Sequence, residues 1–430
     1  MLKAFVNAFK IPDLRKKILF TIGIIAVFRL GSHIPVPNVD PNRLAELRNA
    51  TNGQQLSALQ FIDLFSGGAL TRFAVFSLGI MPYITSSIIM QLLTVVIPKL
   101  EAWQKQGEIG IKKITQWTRY MTVTLALLQS TGLVFLFNSG QFTGGGETGI
   151  VRHFTPPRVA LMVITLTAGT AMIMWLGELI TQRGIGNGMS ILIFTSVISR
   201  LPAQGLGILH QAGRWKFTFL LALGVAIIVA VVWMEQGQRR IPVQYAKRIV
   251  GRRMTQGGST YIPLKVNQAG VIPIIFASSV LYFPTLLQNV VHVQWFQNFV
   301  NNVLLRQSSL LYMGIYGTLV VFFAYFYAAI QFNPLDTADN IRKYGGFIPG
   351  IRPGRPTADY LSNVLNRITL PGALFLAAIA LIPSIFLAYW QITAFPFGGT
   401  SILITVGVAL ETMKQLESQL MMRHYEGFLR

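Results

Sequence analysis

Side chains able to bind metals or move protons are few and scattered in this sequence. The five histidines lie in loops or near the ends of apolar stretches, at His33, His153, His210, His292 and His424. The chain has no His-Glu-x-x-His pair, no Gly-x-x-x-x-Gly-Lys-Ser/Thr phosphate loop and no cysteine. No aspartate falls inside an apolar stretch long enough to cross a membrane. We therefore expect no enzyme activity, no metal site and no cofactor.

Charged residues beside the apolar stretches are the next candidates, because ion-coupled transporters keep ionisable groups in the bilayer facing their pathway. All five candidates lie near the ends of stretches, at Arg29, Arg72, Glu178, Glu235 and Glu411. Long side chains at such positions ordinarily reach outward to water. A pathway lined by Ile, Met, Ser and Thr instead suits a varied and flexible passenger, which argues against a small-ion carrier.

Two apolar stretches far apart in the chain begin with the same pattern. Gly-x-x-Pro followed by a Ser-Ser pair occurs at Gly79–Ser87 and again at Gly270–Ser279. Gly-x-x-Pro alone is common in membrane helices, where both residues are tolerated. Interrupted segments at corresponding places of two halves, however, are typical of a membrane transport pathway.

Composition places these stretches in a membrane. The chain has 430 residues, of which 52% are hydrophobic and 12% are charged, against about 25% charged residues in soluble proteins. A membrane-spanning helix needs roughly 20 apolar residues, and ten spans are predicted at 18–37, 74–97, 117–137, 158–180, 188–202, 217–235, 270–288, 310–331, 369–390 and 398–415. Most of the 36 lysines and arginines share one side if both termini are inside, which the positive-inside rule favours.

A Gly-rich, basic segment near 203–216 separates the ten spans into two sets of five. We therefore predict an all-α polytopic membrane protein with an N-terminal half, 1–205, and a C-terminal half, 206–430. The repeated Gly-Pro pattern opens the second span of each half, and one half begins inside while the other begins outside. The two halves are thus expected to form an inverted repeat.

The segment of about 62–73, before the second span, is apolar but too short to cross a membrane. Its Gly67-Gly68 pair gives the backbone little stiffness. Two interpretations stay open: a loop that leads into a helix, or a short movable segment that dips into the membrane. The second is acceptable only where protein surrounds the segment.

Two inner loops, 236–268 and 332–367, are far longer than a connection requires. In the first, alternating runs at 241–245 and 260–264 flank a turn at 256–259, which predicts a β-ribbon.

In the second loop, glycines and prolines between 345 and 355 predict a defined, non-helical tip. Thr357 is a candidate N-cap for a short helix that runs toward Asn366.

Longer motifs show a resemblance that covers essentially the whole chain. The sequence resembles the SecY/Sec61-alpha family of protein-translocation channels at Leu78–Leu93, Arg183–Ser190, Lys265–Pro273, Gly350–Gly354, Phe397–Ser401 and Met421–Glu426. The segments follow the family order. The resemblance implies ten transmembrane helices in two inverted halves around a central pore, with a short re-entrant plug helix.

An apolar ring at the waist of an hourglass pore is implied by this resemblance. The residues that correspond to the ring are Ile84, Ile88, Met189, Ile193, Ile275 and Ile404. The two pairs from the second and fifth spans are spaced i,i+4, so each pair lies on one helix face. Such a ring closes by excluding water and parts around a polypeptide. Met189, where the family often has Ile, keeps the seal through a flexible apolar side chain.

The family's plug and lateral gate are carried over in the same way. The plug corresponds to the segment with Ser66, Gly67, Gly68 and Arg72, and fills the outer funnel at rest. The gate between the second span and the seventh and eighth spans would include Thr85, Ser86, Ser87, Ser278 and Ser279. Hydrogen bonds between helices in a membrane are worth about 0.6–2 kcal/mol each, so we expect a seam that closes yet opens for an arriving apolar helix.

The basic inner loops resemble the family's docking surface for the SecA motor ATPase and the ribosome. The candidate docking residues are Arg248, Arg252, Arg253, Arg352 and Arg355. Charges kept for topology alone are the competing interpretation. The resemblance further implies the small membrane subunits SecE and SecG, signal-bearing preproteins and membrane lipids as partners, and a place in the bacterial cytoplasmic membrane with both termini in the cytoplasm.

Two other functions remain open from the residues alone. A secondary transporter for a small solute would share the inverted repeat but need a buried coupling charge, for which Glu178 is the candidate. A non-conducting scaffold or insertase would leave ion conductance unchanged when Ser66–Arg72 is deleted.

Overall fold

The computed structural model describes residues 9, 11–40, 63, 65–138, 154–245, 248–250, 253–255, 259–287, 293–304, 309–390 and 398–426. The helices that precede the strands are α1 (Pro12–Gly31), α2 (Met81–Val96), α3 (Pro98–Lys105), α4 (Glu108–Asn138), α5 (Pro156–Arg183) and α6 (Gly188–Gln236). Those that follow are α7 (Ile272–Leu287), α8 (Gln294–Phe299), α9 (Leu310–Gln331), α10 (Pro334–Lys343), α11 (Arg355–Tyr389) and α12 (Gly398–Glu426). The strands are β1 (Gln238–Tyr245), β2 (Arg248–Val250), β3 (Arg253–Thr255), β4 (Ser259–Lys265) and β5 (Gly346–Phe347).

Each of the ten predicted spans overlaps a helix of the structure. Among the described residues, five helical stretches are long and apolar enough to cross a membrane, and a sixth if α2 and α3, bent by 100°, form one span. Ile272–Leu281 is a shorter apolar helix. The chain is therefore a multi-pass helical protein whose helices are consistent with the predicted count of ten.

The first helix begins six residues earlier than the predicted span. Pro12 occupies the first turn and Asp13 adds a negative charge there, both of which favour a helix N-terminus. After the helix ends, the next residues pair with the chain before α2, because the Val36 amide donates to the Phe73 carbonyl at 3.0 Å. The end of the predicted span is thus used for pairing instead of helix.

The helix α6 contains two predicted spans in one. It is interrupted at Gly213, whose φ of 76° and ψ of 170° are not helical. This glycine lies in the segment predicted to separate the two halves, and the rest of that segment is helical. A positive φ costs glycine little, so the break falls there.

One hydrophobic cluster joins the helices of both halves. It includes Phe28 of α1, Phe76 from the stretch before α2, Phe137 of α4, and Ile275 and Leu403 of the later helices. The rings of Phe28 and Phe76 stack with centroids 5.8 Å apart. Helix contacts that link the halves join α2 to α7 and α4 to α7.

The two long loops form a single small domain, here called the sheet module. The strands follow the order β4-β1-β5, with Pro242 opposite Tyr261 and Gln244 opposite Phe347. Alternate β1 residues are buried, and they pack with α10 and α11 in a separate hydrophobic cluster of Ile241, Val243, Leu264, Ile341, Ile348 and Leu361. Because β5 comes from the second loop, the two loops are joined by backbone hydrogen bonds.

The predicted ribbon at 241–245 and 260–264 is confirmed by this pairing. Its connection is longer than the predicted turn, since the hairpin β2–β3 intervenes; residues 256–258 lie outside the described part. The prediction of a short helix capped by Thr357 is wrong. Helix α11 begins at Arg355 and runs unbroken to Tyr389, while the Thr357 hydroxyl donates to the Arg352 carbonyl at 2.8 Å.

The repeated Gly-Pro pattern builds the same local structure twice. Gly79 has a φ of 56° and Gly270 a φ of 59°, and in each case a helix begins two residues later. The surroundings differ. A Cβ on Gly79 would lie 2.9 Å from the Phe65 carbonyl oxygen, whereas a Cβ on Gly270 would meet nothing within 4 Å. Both positions need a left-handed backbone, but only Gly79 also needs the space.

This difference predicts unequal effects of two matched substitutions. Gly270→Ala should cost about 1–2 kcal/mol for placing a side chain in the left-handed region. Gly79→Ala should lower stability further, because the methyl group also displaces the backbone at Phe65. Thermal unfolding of the purified protein in detergent checks this. Equal midpoints for the two variants would contradict it.

Candidate functional site

The six apolar residues assigned to the ring come from four helices. Ile84 and Ile88 lie on α2, Met189 and Ile193 on α6, Ile275 on α7 and Ile404 on α12. All six are at most 9% exposed, and all six belong to the large hydrophobic cluster. The structure therefore brings them into one buried apolar region, although their role in a ring stays a prediction.

The helix start at Asn187 sets the position of Met189. The Asn187 side chain accepts from the amides of Met189 at 3.1 Å and Ser190 at 3.4 Å, as an N-cap does. The Met189 side chain covers Gly177 of α5, because a Cβ on that glycine would overlap its sulfur. The side chain of Met189, which lies on α6, therefore packs against α5.

The hydroxyl residues assigned to the gate bond mainly to their own helices. Thr85 and Ser86 donate to the carbonyls of Met81 and Pro82, and Ser278 and Ser279 donate to those of Ile274 and Ile275, all at 2.8–2.9 Å. Ser87 is half-buried on α2. Four of the five hydroxyl groups assigned to the gate therefore have acceptors on their own helices.

Contacts between helices near the seam use residues that the sequence did not single out. The Tyr316 hydroxyl of α9 lies 3.4 Å from the Ser278 hydroxyl and 3.2 Å from that of Thr400 on α12, so it ties three helices of the second half together. On the other side, the side chain of Gln91 on α2 lies close to that of Tyr327 on α9. A polar residue inside an apolar span is the signal that identifies Gln91.

The segment assigned to the plug is compact and buried. Ser66 is fully buried; its hydroxyl donates to the Asp63 carbonyl at 3.3 Å and accepts from the Leu70 amide at 3.2 Å. Gly67 and Gly68 have φ values of 65° and 92°, which explains the glycine pair. Leu70–Arg72 forms one 3₁₀ turn, shorter than the helix implied by the resemblance. Residues 62 and 64 lie outside the described part.

Two arginines hold this segment. Arg29 of α1 donates through Nη1 to the Gly67 carbonyl at 2.8 Å and to the Ser199 hydroxyl at 3.1 Å. Arg200 of α6 forms an ion pair with Asp63, which is 1% exposed. Sequence reasoning missed Asp63 and Arg200, since nothing local indicates that residues so far apart in the chain meet. Arg72, in contrast, is exposed.

The expectation that the five charged residues at span ends reach outward to water is wrong for three of them. Arg29 binds the plug segment. Glu178 accepts two hydrogen bonds from Arg119, from Nε at 2.7 Å and Nη2 at 2.6 Å. Glu235 accepts from Asn267 at 2.6 Å. These three residues are half-buried and bound by specific partners, which offset the cost of partly removing their charges from water.

The docking residues are only partly described. Arg352 and Arg355 are exposed at the tip of the second loop, where Gly350 and Gly354 have positive φ. Arg248 and Arg253 lie in β2 and β3, but their side chains are not described, and Arg252 lies outside the described residues. Within the described part of the chain, no group of three or more His, Cys, Asp or Glu side chains has an arrangement that holds a metal.

Comparison with known proteins identifies the family of the chain. The family model for SecY matches residues 74–413. The protein translocase subunit SecY of Streptomyces galbus is 56% identical over 440 residues, and that of Mycobacterium tuberculosis 52% identical over 441 residues, with 100% of each chain covered.

Solved structures show the same fold. A structure described as that of a protein conducting channel superposes with a TM-score of 0.58 at 17% identity, over 96% of both chains. Another, of a SecY protein whose plug domain is described as stabilising the closed state of the translocation channel, gives 0.58 at 18% identity over the same share. The resemblance is confirmed, and the chain belongs to the SecY family.

Proposed function

We propose that this chain is a gated channel that passes unfolded secretory polypeptides across a membrane and releases apolar segments sideways into lipid. One observation carries the proposal. Six apolar side chains from four helices of both halves are buried in one cluster, together with the apolar side chains of the plug segment. The SecY family membership supplies the class of passenger.

A ring of Ile and Met side chains suits this task physically. An apolar constriction blocks ions by excluding water, without needing a rigid fit. Flexible side chains of this kind can separate around any polypeptide and come together again. At rest, the plug segment packs in the same cluster through Phe65, Leu70 and Phe73. Opening then requires the plug segment to leave and the ring to widen.

Sideways release is proposed at the seam between α2 and α7. These helices contact each other, and Gln91 of α2 lies close to Tyr327 of α9. An arriving apolar helix gains about 0.8 kcal/mol for each buried methylene. The free energy of a few hydrogen bonds between membrane helices is small compared with the total gain from burying such a helix.

The surroundings of the channel are part of the proposal. We place it in the bacterial cytoplasmic membrane with both termini in the cytoplasm, because the basic residues then face inward.

The sheet module, with Arg352 and Arg355 exposed, is proposed to bind the SecA motor ATPase and the ribosome. A related Sec61 structure is described in a ribosome-channel complex. SecE and SecG are proposed as membrane partners, and the energy comes from the motor or ribosome instead of from this chain.

The small-solute transporter is less well supported. Its coupling charge is expected at Glu178, yet that carboxylate is engaged by two nitrogens of the Arg119 guanidinium. Such a bidentate pair between α4 and α5 is typical of a structural contact.

Photo-crosslinking tests the passenger directly. A crosslinker placed at Ile84 or Ile275 should form adducts with the mature region of a secretory precursor stalled during export. Val229, which is 64% exposed on α6, serves as the control and should give lipid adducts instead. Normal export with adducts at neither ring position would contradict the ring assignment.

A polar residue in the ring should open the resting channel to ions. Ile404→Asn is expected to raise the conductance of the reconstituted complex roughly tenfold, the effect of about 1.4 kcal/mol, and to relax the requirement for a signal sequence. Ile402→Asn is the matched control, because Ile402 faces Gly224 on α6. Equal conductance of the two variants would contradict the assignment.

Docking through phosphate contacts should depend on salt. Replacing Arg352 and Arg355 by Gln is expected to weaken ribosome binding and to reduce the slope of log affinity against log salt by about 0.7–0.9 for each phosphate that is no longer neutralised. Lys216→Gln lies on the opposite side of the membrane in the predicted topology. It should leave both the ribosome affinity and the salt slope unchanged. Binding measured over a range of about 50 to 200 mM salt decides this, and an unchanged slope for the double variant rules the docking contact out.

A further inference from the structure

Two charged side chains outside the plug segment hold it in place, and neither belongs to the ring or the gate. We propose that Arg200 and Arg29 are positioning residues of a latch that keeps the plug segment closed, with Asp63 and the Gly67 carbonyl as its acceptors. This inference rests on the proposed channel function and adds to it the residues that set the closed state.

Asp63 connects both ends of the plug segment to α6. Its carboxylate forms the ion pair with Arg200 and also accepts from the Thr71 amide, through Oδ1 at 3.1 Å. The carboxylate is therefore bound to the segment and to the bundle at once. Asp63 is 1% exposed, so removal of Arg200 would leave a buried charge without its counterion.

Arg29 supplies the second half of the latch. Its guanidinium bridges the Gly67 carbonyl and the Ser199 hydroxyl, so α1, the plug segment and α6 meet at one side chain. The close approach favours glycine, because a Cβ at Gly67 would lie 3.0 Å from Arg29 Nη1 and 3.2 Å from the Ser196 backbone. The left-handed φ of 65° at Gly67 turns its carbonyl to this position.

The latch can release without unfolding the elements that it joins. The bonds within the plug segment, such as Ser66 to Asp63 and Thr71 to Gly68, move with it, while the bond from the Val36 amide to Phe73 joins its end to the chain after α1. The polar bonds of the latch come from the ends of two long side chains. Arg200 keeps 28% of its side chain exposed, which gives water a route to the ion pair.

The absence of cysteine from this chain allows a specific reporter of plug position. Ala69 in the plug segment is fully buried, so Ala69→Cys should react slowly with a membrane-impermeant maleimide in proteoliposomes of the complete complex. Resting ion conductance is measured on the same preparations, and the midpoint of thermal unfolding is measured for each variant.

Asp63→Asn, Arg200→Gln and Arg29→Gln are each expected to raise the modification rate and the resting conductance roughly 5- to 30-fold, the change in a two-state ratio that one or two kcal/mol produce. Arg214→Gln, which removes the same charge from an exposed site on α6, should change neither. Arg200→Lys, which retains the positive charge, should keep modification slow, which a general decrease in stability would not do.

The outcomes separate the latch from the channel. If deletion of Ser66–Arg72 raises conductance while the Asp63 and Arg200 variants behave like Arg214→Gln, the latch is overturned and the channel stands. Modification of Arg200→Lys as fast as that of Arg200→Gln also overturns the latch. If the deletion itself leaves conductance unchanged, the proposed function fails first.

Discussion

Non-helical backbone inside a membrane must be surrounded by protein, because hydrocarbon offers no partner for a peptide N–H or C=O. The stretch of 65–80, just before α2, is the place where this constraint acts. Phe65, Ser66, Ala69, Phe73 and Ser77 within it are all fully buried. The surrounding helices enclose these residues, most of which belong to the plug segment.

The enclosed stretch satisfies its backbone in three ways. Short turns provide some bonds, as between the Phe73 amide and the Leu70 carbonyl at 2.9 Å. Pairing with the chain after α1 provides others, as between the Val75 amide and the Ile34 carbonyl at 2.9 Å. The Arg29 side chain provides the partner for Gly67. Every one of these joins elements close to the plug segment, so the segment is held by its immediate neighbours.

How much the sequence predicts depends on the range of the interaction. The helices, the strand pairing of 241–245 with 260–264 and the glycines of the repeated pattern follow from local periodicity and turn chemistry, and all are present. The bounds of α1 differ from the prediction, because apolar residues after Gly31 are used in pairing instead of helix. The partners of Arg29, Arg200 and Glu178 are not predictable, since they depend on how distant helices pack. The ring is identified through family resemblance, as an Ile facing a neighbour and an Ile facing a pore have the same sequence signal.

Hydroxyl groups of α2 and α7 that donate to carbonyls of their own helices affect how the protein contacts lipid. Thr85, Ser86 and Ser279 donate to carbonyls one turn earlier in their own helices. When the two helices separate, each of these hydroxyl groups keeps its acceptor, because donor and acceptor lie on the same helix. Acyl chains can then contact the newly exposed surfaces without leaving any of these donors unpaired. Since acyl chains are as apolar as the side chains they replace, the bilayer itself resists such a parting only weakly.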